Sequence, residues 1–430
     1  MNSWSIEAFG RGVSLLTIVA LFGCSSISHS SASNTNQPSN SGVTMEDQNK
    51  NASTGALDPR LVSANVRFGF NLFSELAKKD RGNNLFISPT SIGLALAMTY
   101  NGAVGDTKAG MERALEIEGI SHADLNKAYA GLRAALESPD PKVQLNIANS
   151  LWARKDVTFN PDFLARNKQF YGAEVSPLDF NDPAAPATIN SWVNDKTKGK
   201  IDKIIDRIDA QSILFLINAI YFKGAWAAEF DKAKTKDEPF TPASGQQRQL
   251  PMMHQSGEYK YLEGKDFQAV SLPYGGGRVA MYIFLPSKGV SLEEFQKNLT
   301  AENWNSGLKQ FAETKGDIGV PRFKIEYEVS LNDALSALGM GAAFDPTRAD
   351  FSGVARTTDR VFISNVKHKT YAEVNEEGTE AAAVTSVEMR ATSAMRPRNT
   401  FRMIVDRPFF CAIADNKSGT LLFMGAINNP

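Results

Sequence analysis

At 430 residues, with 42% hydrophobic and 22% charged residues and a formal net charge of −1, the chain has the composition of an ordinary globular protein. A balance so near neutral argues against the concentrated basic surface that nucleic-acid binding requires, so no nucleic-acid partner is expected. Length alone allows two or three domains, or one large fold.

In chain order, Arg11 and the amino terminus precede an apolar run, Val13–Phe22, too short to cross a bilayer as a stable helix. At its end stands LFGC, Leu21–Cys24, which resembles the bacterial lipobox. The resemblance implies lipid on the Cys24 sulfur and cleavage before it; a plain secretory signal with an incidental cysteine is the other reading. Residues 1–23 are then a signal peptide. Ser25 in place of aspartate implies an exported protein, lipid-anchored to the cell envelope at the outer membrane or cell surface. Residues 24–56 are rich in serine and asparagine and bury too little apolar area to offset ordering entropy, so they are expected to form a flexible tether. About thirty such residues reach on the order of 30 Å. With Cys24 lipidated, Cys411 stands alone in the apolar run FFCAIA and reads as a core residue.

From Leu57 to Pro430 no second linker or repeat interrupts the chain, so this stretch is expected to be one domain. Arg60–Lys79 carries apolar residues at helical spacing. After NNLFISP a nearly all-apolar helix is expected, with Ser91 as its cap, and helices without a polar face lie inside large cores. KTKGKIDKIIDR, Lys196–Arg207, reads as the solvated face of a helix. Strands are expected at QLNIANSLWA and SILFLINAIYFKGAW. Two more, QAVSLPYGG and RVAMYIFLP, are joined through Gly275–Gly277. The last third alternates strands and turns: VPRFKIEYEV, RVFISNVKHKTYAEVNEE, RMIVDRPFFCAIAD and GTLLFMGAINNP. Helices first and strands mostly later make the fold class α+β with large sheets.

No constellation for catalysis is present. There is no Gly-x-Ser-x-Gly elbow, His-Glu-x-x-His, phosphate-binding glycine loop or Cys-x-x-Cys, and no metal or cofactor is implied. His368 beside Ser88 or Ser91 is the one base-and-nucleophile set on offer. Serines flanking a proline in ISPTS read instead as capping and turn residues, and a strand histidine as a satisfied core partner. The chain is not expected to be an enzyme.

The stretch NEEGTEAAAVTSVE poses a different question. Ala381–Ala383 favour a helix, yet the segment follows directly on the strand HKTYAEV. At period two, Thr379, Ala381, Ala383 and Thr385 form one uniformly small face, suited to a strand that slides between two others. Propensity leaves helix and strand open. The stretch resembles the proximal hinge of the serpins, the serine-protease inhibitor family. Further blocks that are similar to the family occur in order: NLFISPTSIGLALAMTYNGAVGDT, ANSLW, INSWVNDKTKGKI, LINAIYFKGAW, VPRFKIE, ADFSGV, ISNVKHKTYAEVNEEGTEAAA, DRPFF and LLFMGAINNP.

The resemblance implies a serpin fold of three β-sheets with eight or nine helices and an exposed reactive-centre loop near residues 378–402. It implies a metastable suicide-substrate inhibitor of serine proteases, and of papain-like cysteine proteases too, whose cleaved loop inserts into the main sheet; the alternative is a non-inhibitory carrier. The implied hinge is Glu376, Glu377, Gly378, Thr379, Glu380, Ala381, Ala382 and Ala383. Ser88, Ser91, Asn218 and His368 match a hydrogen-bonded cluster where strands part, and Trp226, Arg322 and Glu376 match the site where the loop first enters. Family spacing from Glu376 puts the reactive bond at Thr392–Ser393, with cleavage after Met389, Arg390 or Ala391 as alternatives. Trypsin-like enzymes would cut after Arg390, and elastase-like or subtilisin-like enzymes after Ala391 or Thr392. The implied partners are such proteases, bound covalently to a monomer, and a membrane through the Cys24 lipid.

Overall fold

The computed structural model describes residues 57–137, 140–209, 212–355, 360–379 and 400–430. Cys24, hinge residues Glu380, Ala381, Ala382 and Ala383, and the candidate cleavage positions Met389, Arg390, Ala391, Thr392 and Ser393 lie outside the described residues.

The first helix runs Pro59–Lys79. Asp58 caps it, accepting from the Arg60 amide at 2.9 Å, and Pro59 sits where no amide donor is needed. Its apolar stripe, including Val66, Phe68, Phe70, Leu72, Phe73 and Leu76, is buried as the spacing predicts. After the short strand Leu85–Ile87, the helix Pro89–Tyr100 is buried along its whole length. Its cap is Ser88, whose hydroxyl accepts from the Ser91 amide at 3.4 Å. Ser91 is therefore inside the first turn rather than the cap, which frees its hydroxyl for a tertiary partner.

The strands form two hydrogen-bonded arrays. One has six strands in the order Phe323–Ser330, Ile363–Asn375, Gly378–Thr379, Leu214–Ala225, Val143–Arg154 and Glu174–Leu178. The other, of nine strands, is threaded by the 16-residue strand Arg248–Glu263. That strand pairs with Lys236–Phe240 and Ala312–Pro321, and its last residues, from Lys260, also pair with Phe267–Tyr274. Among the described residues the pairing thus joins the strands into these two arrays, the larger one running through this shared strand.

The main core lies between the arrays, around Pro89–Tyr100. Phe423 of the strand Thr420–Ile427 stacks on Phe86 and meets Phe222 of Leu214–Ala225 edge-on. A second core covers the other face of the six-stranded array, where Ile189 and Val193 of helix Ala185–Lys196 pack with Trp152, Phe215 and Ile217.

Besides the cap at Ser88, two further expectations need correction. The helix expected over Lys196–Arg207 ends at Lys196, because Lys198 and Gly199 take positive φ (56° and 78°). Beyond it Ile201, Ile204 and Ile205 enter the second core, while the charged side chains of that segment remain in solvent. VPRFKIEYEV, read as one strand, is two. Ala312–Pro321 belongs to the nine-stranded array and Phe323–Ser330 to the six-stranded one. Arg322 stands at the corner, its amide donating to the Pro251 carbonyl at 2.9 Å.

Candidate functional site

The centre of the six-stranded array holds two parallel strands that part. Ile363–Asn375 pairs with Leu214–Ala225 from Ile363–Leu214 to Tyr371–Tyr221. Past that point the chain turns at Asn375, whose side-chain oxygen accepts from the amides of Glu377 (3.0 Å) and Gly378 (3.2 Å). Gly378 and Thr379 then come back as a strand between the parted pair. Thr379 lies opposite Val374 on one side and Gly224 on the other; Gly378 lies opposite Asn375 and Ala225. Only glycine fits at 378: φ is +152°, and a Cβ would stand 2.0 Å from the Gly224 carbonyl oxygen. For these two residues tertiary pairing decides for strand what propensity left open.

Aromatic rings build the seat. Trp226 stacks on Tyr274 at 4.4 Å, and its indole N–H donates to the Asn375 carbonyl at 2.9 Å. The Trp226 amide donates to the Glu377 carbonyl, also at 2.9 Å. The Tyr274 hydroxyl meets the Thr379 hydroxyl at 2.6 Å with both residues buried. Burial holds the Tyr274 phenol well above the usual range, so it stays protonated.

Beside the seat, the structure brings Arg322 and Glu376 together. Arg322 Nε donates to both Glu376 oxygens (2.9 and 2.8 Å) and Nη2 to Oε1 at 2.5 Å; the Thr235 hydroxyl adds a bond of 2.5 Å. Glu376 is only 2% exposed, against 42% for the Arg322 side chain. Burial pushes the Glu376 pKa up, but the Arg322 and Thr235 hydrogen bonds outweigh it, and the net shift is downward. Arg322 reaches Glu376 because it stands at the corner between the arrays. Lys232 pairs with Glu377 at 2.6 Å on the outer rim.

Ser88, Ser91, Asn218 and His368 also meet, all fully buried. The Ser88 amide donates to His368 Nε2 at 3.2 Å, which places the imidazole proton on Nδ1, where it donates to the Asn218 side-chain oxygen. The Asn218 amide nitrogen donates to Ser91 Oγ and to Asn149 Oδ1, each at 2.5 Å. Ser88 Oγ donates elsewhere, to the Leu422 carbonyl at 2.6 Å. His368 thus binds the backbone of Ser88 and not its hydroxyl, and these four residues form no nucleophile–base pair. Burial lowers the His368 pKa to about 3, so the ring is neutral. Cys411 is a buried free thiol with its pKa raised by burial.

Tyr274, Thr235 and Asn149 belong to this constellation but were not singled out in the sequence. Tyr274 ends a strand before Gly275–Gly277 and read only as a hairpin flank, and Asn149 lay inside ANSLW without a distinguishing role. Nothing local marks either one; their partners are far away in the chain.

This arrangement can be set beside known proteins. The family model described as serpin (serine protease inhibitor) matches residues 63–430. An uncharacterized serpin-like protein of Thermococcus kodakarensis is 36% identical over 403 residues, covering 92% of each chain. Human leukocyte elastase inhibitor is 34% identical over 385 residues, covering 86% of this chain and all of that protein. Among solved structures, the thermophilic serpin tengpin in its native state matches with a TM-score of 0.82 at 35% identity, over 88% of this chain and 96% of that one. With a family model spanning almost the whole described fold, and relatives above 30% identity matched nearly end to end, the chain belongs to the serpin family.

Proposed function

We propose that this chain is a suicide-substrate inhibitor of serine proteases of trypsin-like, elastase-like or subtilisin-like specificity, and of papain-like cysteine proteases. The observation that carries the reading is the small residue Thr379, buried in strand register between the two parting strands. In this reading the protease nucleophile attacks the loop carbonyl at Thr392, the peptide bond to Ser393 breaks with its amine leaving, and an ester, or a thioester for a cysteine protease, joins loop and enzyme. The freed loop continues the strand begun at Gly378 and Thr379. About a dozen new backbone hydrogen bonds, at about 1 kcal/mol net each, drive that step together with side-chain burial. About fourteen inserted residues span about 46 Å, and the acylated protease is carried that distance before water hydrolyses the ester. Glu380, Ala381, Ala382 and Ala383 form the rest of the hinge. Trp226, Arg322 and Glu376 control its entrance, and Ser88, Ser91, Asn218 and His368 set the ease with which the strands part. The small inward residues support inhibition over a carrier role, since neither bulk nor charge blocks the path.

The test is a denaturing gel after mixing the protein with trypsin and, separately, elastase. A heat-stable band at the summed mass is expected, with a released C-terminal fragment beginning at Ser393 for elastase and at Ala391 for trypsin. Loop cleavage without that band, across a panel of serine and cysteine proteases, would leave a substrate-like or non-inhibitory member. For the amino terminus we propose a lipid on Cys24 and anchorage to the cell envelope. Radiolabelled fatty acid incorporated into the wild type and lost in Cys24→Ser is the expected result; equal labelling of both would refute it.

A further inference from the structure

The segment from Trp226 to Thr235 crosses the base of the hinge as a strap and grips the two residues before Gly378. The Trp226 and Phe230 amides donate to the carbonyls of Glu377 and Glu376, each at 2.9 Å. The Thr235 hydroxyl bonds the Glu376 carboxylate, and the Lys232 ammonium that of Glu377. Phe230 is buried and edge-on to Trp226, while Ala227, Ala228 and Glu229 between them are exposed. So exposed a turn has little apolar contact of its own to fix it. At its start the Ala227 amide donates to the Pro273 carbonyl at 2.8 Å.

Across its middle the anchor is Gln255, on the strand Arg248–Glu263 of the nine-stranded array. Its amide nitrogen donates to the Ala228 carbonyl at 3.2 Å and to the Glu229 carbonyl at 2.8 Å. Both partners can only accept, so the nitrogen faces the strap and the side-chain oxygen faces away. That oxygen accepts from the hydroxyl of the buried Tyr259 at 2.9 Å. Tyr259 in turn meets Phe401 edge-on at 6.0 Å, and Phe401 stacks on Tyr261 at 3.8 Å. Phe401 belongs to the strand Thr400–Ile404. A continuous set of contacts, from Phe401 through Tyr259 and Gln255 to the strap and Glu376, therefore joins the chain on both sides of residues 380–399.

We propose that Gln255 is a positioning residue for protease trapping. It fixes the strap, and the strap fixes the pivot at Glu376 and Glu377 from which the inserting strand grows. Tyr259 orients Gln255 and ties that pivot to the strand Thr400–Ile404. With the pivot fixed, insertion begins in register and outruns hydrolysis of the acyl-enzyme; with it loose, water wins and the chain is spent as a substrate. The effect on trapping rests on the inhibitory reading above, whereas the anchoring of the strap stands on the geometry alone.

The experiment compares the full chain with Gln255→Leu, Tyr259→Phe and Ser256→Ala. Ser256 neighbours Gln255 on the same strand but bonds Asp317, and its variant is the control. Amide hydrogen exchange, followed by mass spectrometry, reads the strap without any protease. Residues 226–235 should exchange at least tenfold faster in Gln255→Leu and at least threefold faster in Tyr259→Phe, with Ser256→Ala unchanged. Titration of elastase reads the trapping. The number of inhibitor molecules consumed per protease trapped should rise at least threefold in Gln255→Leu and by a smaller factor in Tyr259→Phe, while the loop is cleaved at the wild-type rate. The double variant should be no worse than Gln255→Leu alone, because Tyr259 acts through Gln255. Unchanged exchange in Gln255→Leu, or an equal rise in Ser256→Ala, overturns the anchor. A lowered urea midpoint with unchanged stoichiometry leaves Gln255 a structural residue and overturns the positioning role. Additive effects in the double variant overturn the tie to Thr400–Ile404. Should Gln255→Leu fail to fold, Tyr259→Phe, which loses a single hydroxyl, carries both tests. A wild-type chain that never traps a protease refutes the inhibitory reading, and the exchange rates still decide the anchor.

Discussion

The Tyr274 and Thr379 hydroxyls meet at 2.6 Å inside the protein, across 105 positions of sequence, and the Tyr274 ring lies flat against Trp226. One side chain thus joins the start of the loop to the strand before Gly275–Gly277, and an indole capable of reporting on both stands beside it. Tyr274→Phe removes the hydroxyl and leaves the stack. The midpoint of urea unfolding should fall by the equivalent of about 1–2 kcal/mol, with a shift in Trp226 emission. An unchanged midpoint and spectrum would mean that the contact contributes nothing in solution.

Thr379→Arg places a charge where the native residue is fully buried. A guanidinium there has no partner, and its burial is too costly for the hinge to seat or lead an insertion. The fraction of protease trapped should fall to near zero while cleavage of the loop continues at an undiminished rate, as densitometry of the gel would show. Trapping at the wild-type level would separate inhibition from insertion at this position.

Removing either half of the Arg322–Glu376 pair should give unequal results. Arg322→Gln leaves a carboxylate only 2% exposed without its main donor, and should cost about 2–3 kcal/mol; the exposed face of Arg322 holds the figure below that of a fully buried pair. Glu376→Gln leaves the cation free to turn to water and should cost about 1 kcal/mol. Urea midpoints decide the order. The Glu376 pKa is lowered, so its contribution is present above the ordinary value of 4.5 and is lost as pH falls through the folded value.

His368 predicts a pH dependence of its own. Its pKa falls from 6.5 to about 3 on burial, so between those values the unfolded chain binds the extra proton. Stability is undiminished by this group above about pH 6.5 and declines by up to about 1.4 kcal/mol per unit as pH drops toward 3. Comparing stability from pH 7 to 4.5 in the wild type and in His368→Gln isolates the effect, since the glutamine variant should lack that slope. Parallel curves would show that His368 does not bear the proton.

The amphipathic helix Pro59–Lys79 and the fully apolar helix Pro89–Tyr100 were legible in the sequence, because burial of one face or of every face is written in local spacing. The core strands were legible as apolar runs for the same reason. The hinge, the cluster and the Arg322–Glu376 pairing were reached through resemblance rather than through periodicity. Where the chain turned without a change of pattern, local reading failed. VPRFKIEYEV continues one alternation across Arg322 although its halves pair with different arrays. KTKGKIDKIIDR keeps a helical look beyond the positive-φ residues Lys198 and Gly199 that end the helix.

The sequence by itself determined which segments are buried, where a flexible amino-terminal stretch is expected, and that one strand-like face after Glu377 is small enough to enter a sheet. Only the tertiary structure decided that Gly378 and Thr379 are already strand, that Ser88 rather than Ser91 caps its helix, and that Tyr274, Thr235 and Asn149 complete the site. The reason is physical. Burial and local propensity are properties of neighbouring residues, whereas a hydrogen bond or strand pairing between distant segments depends on the whole chain bringing them within about 3 Å.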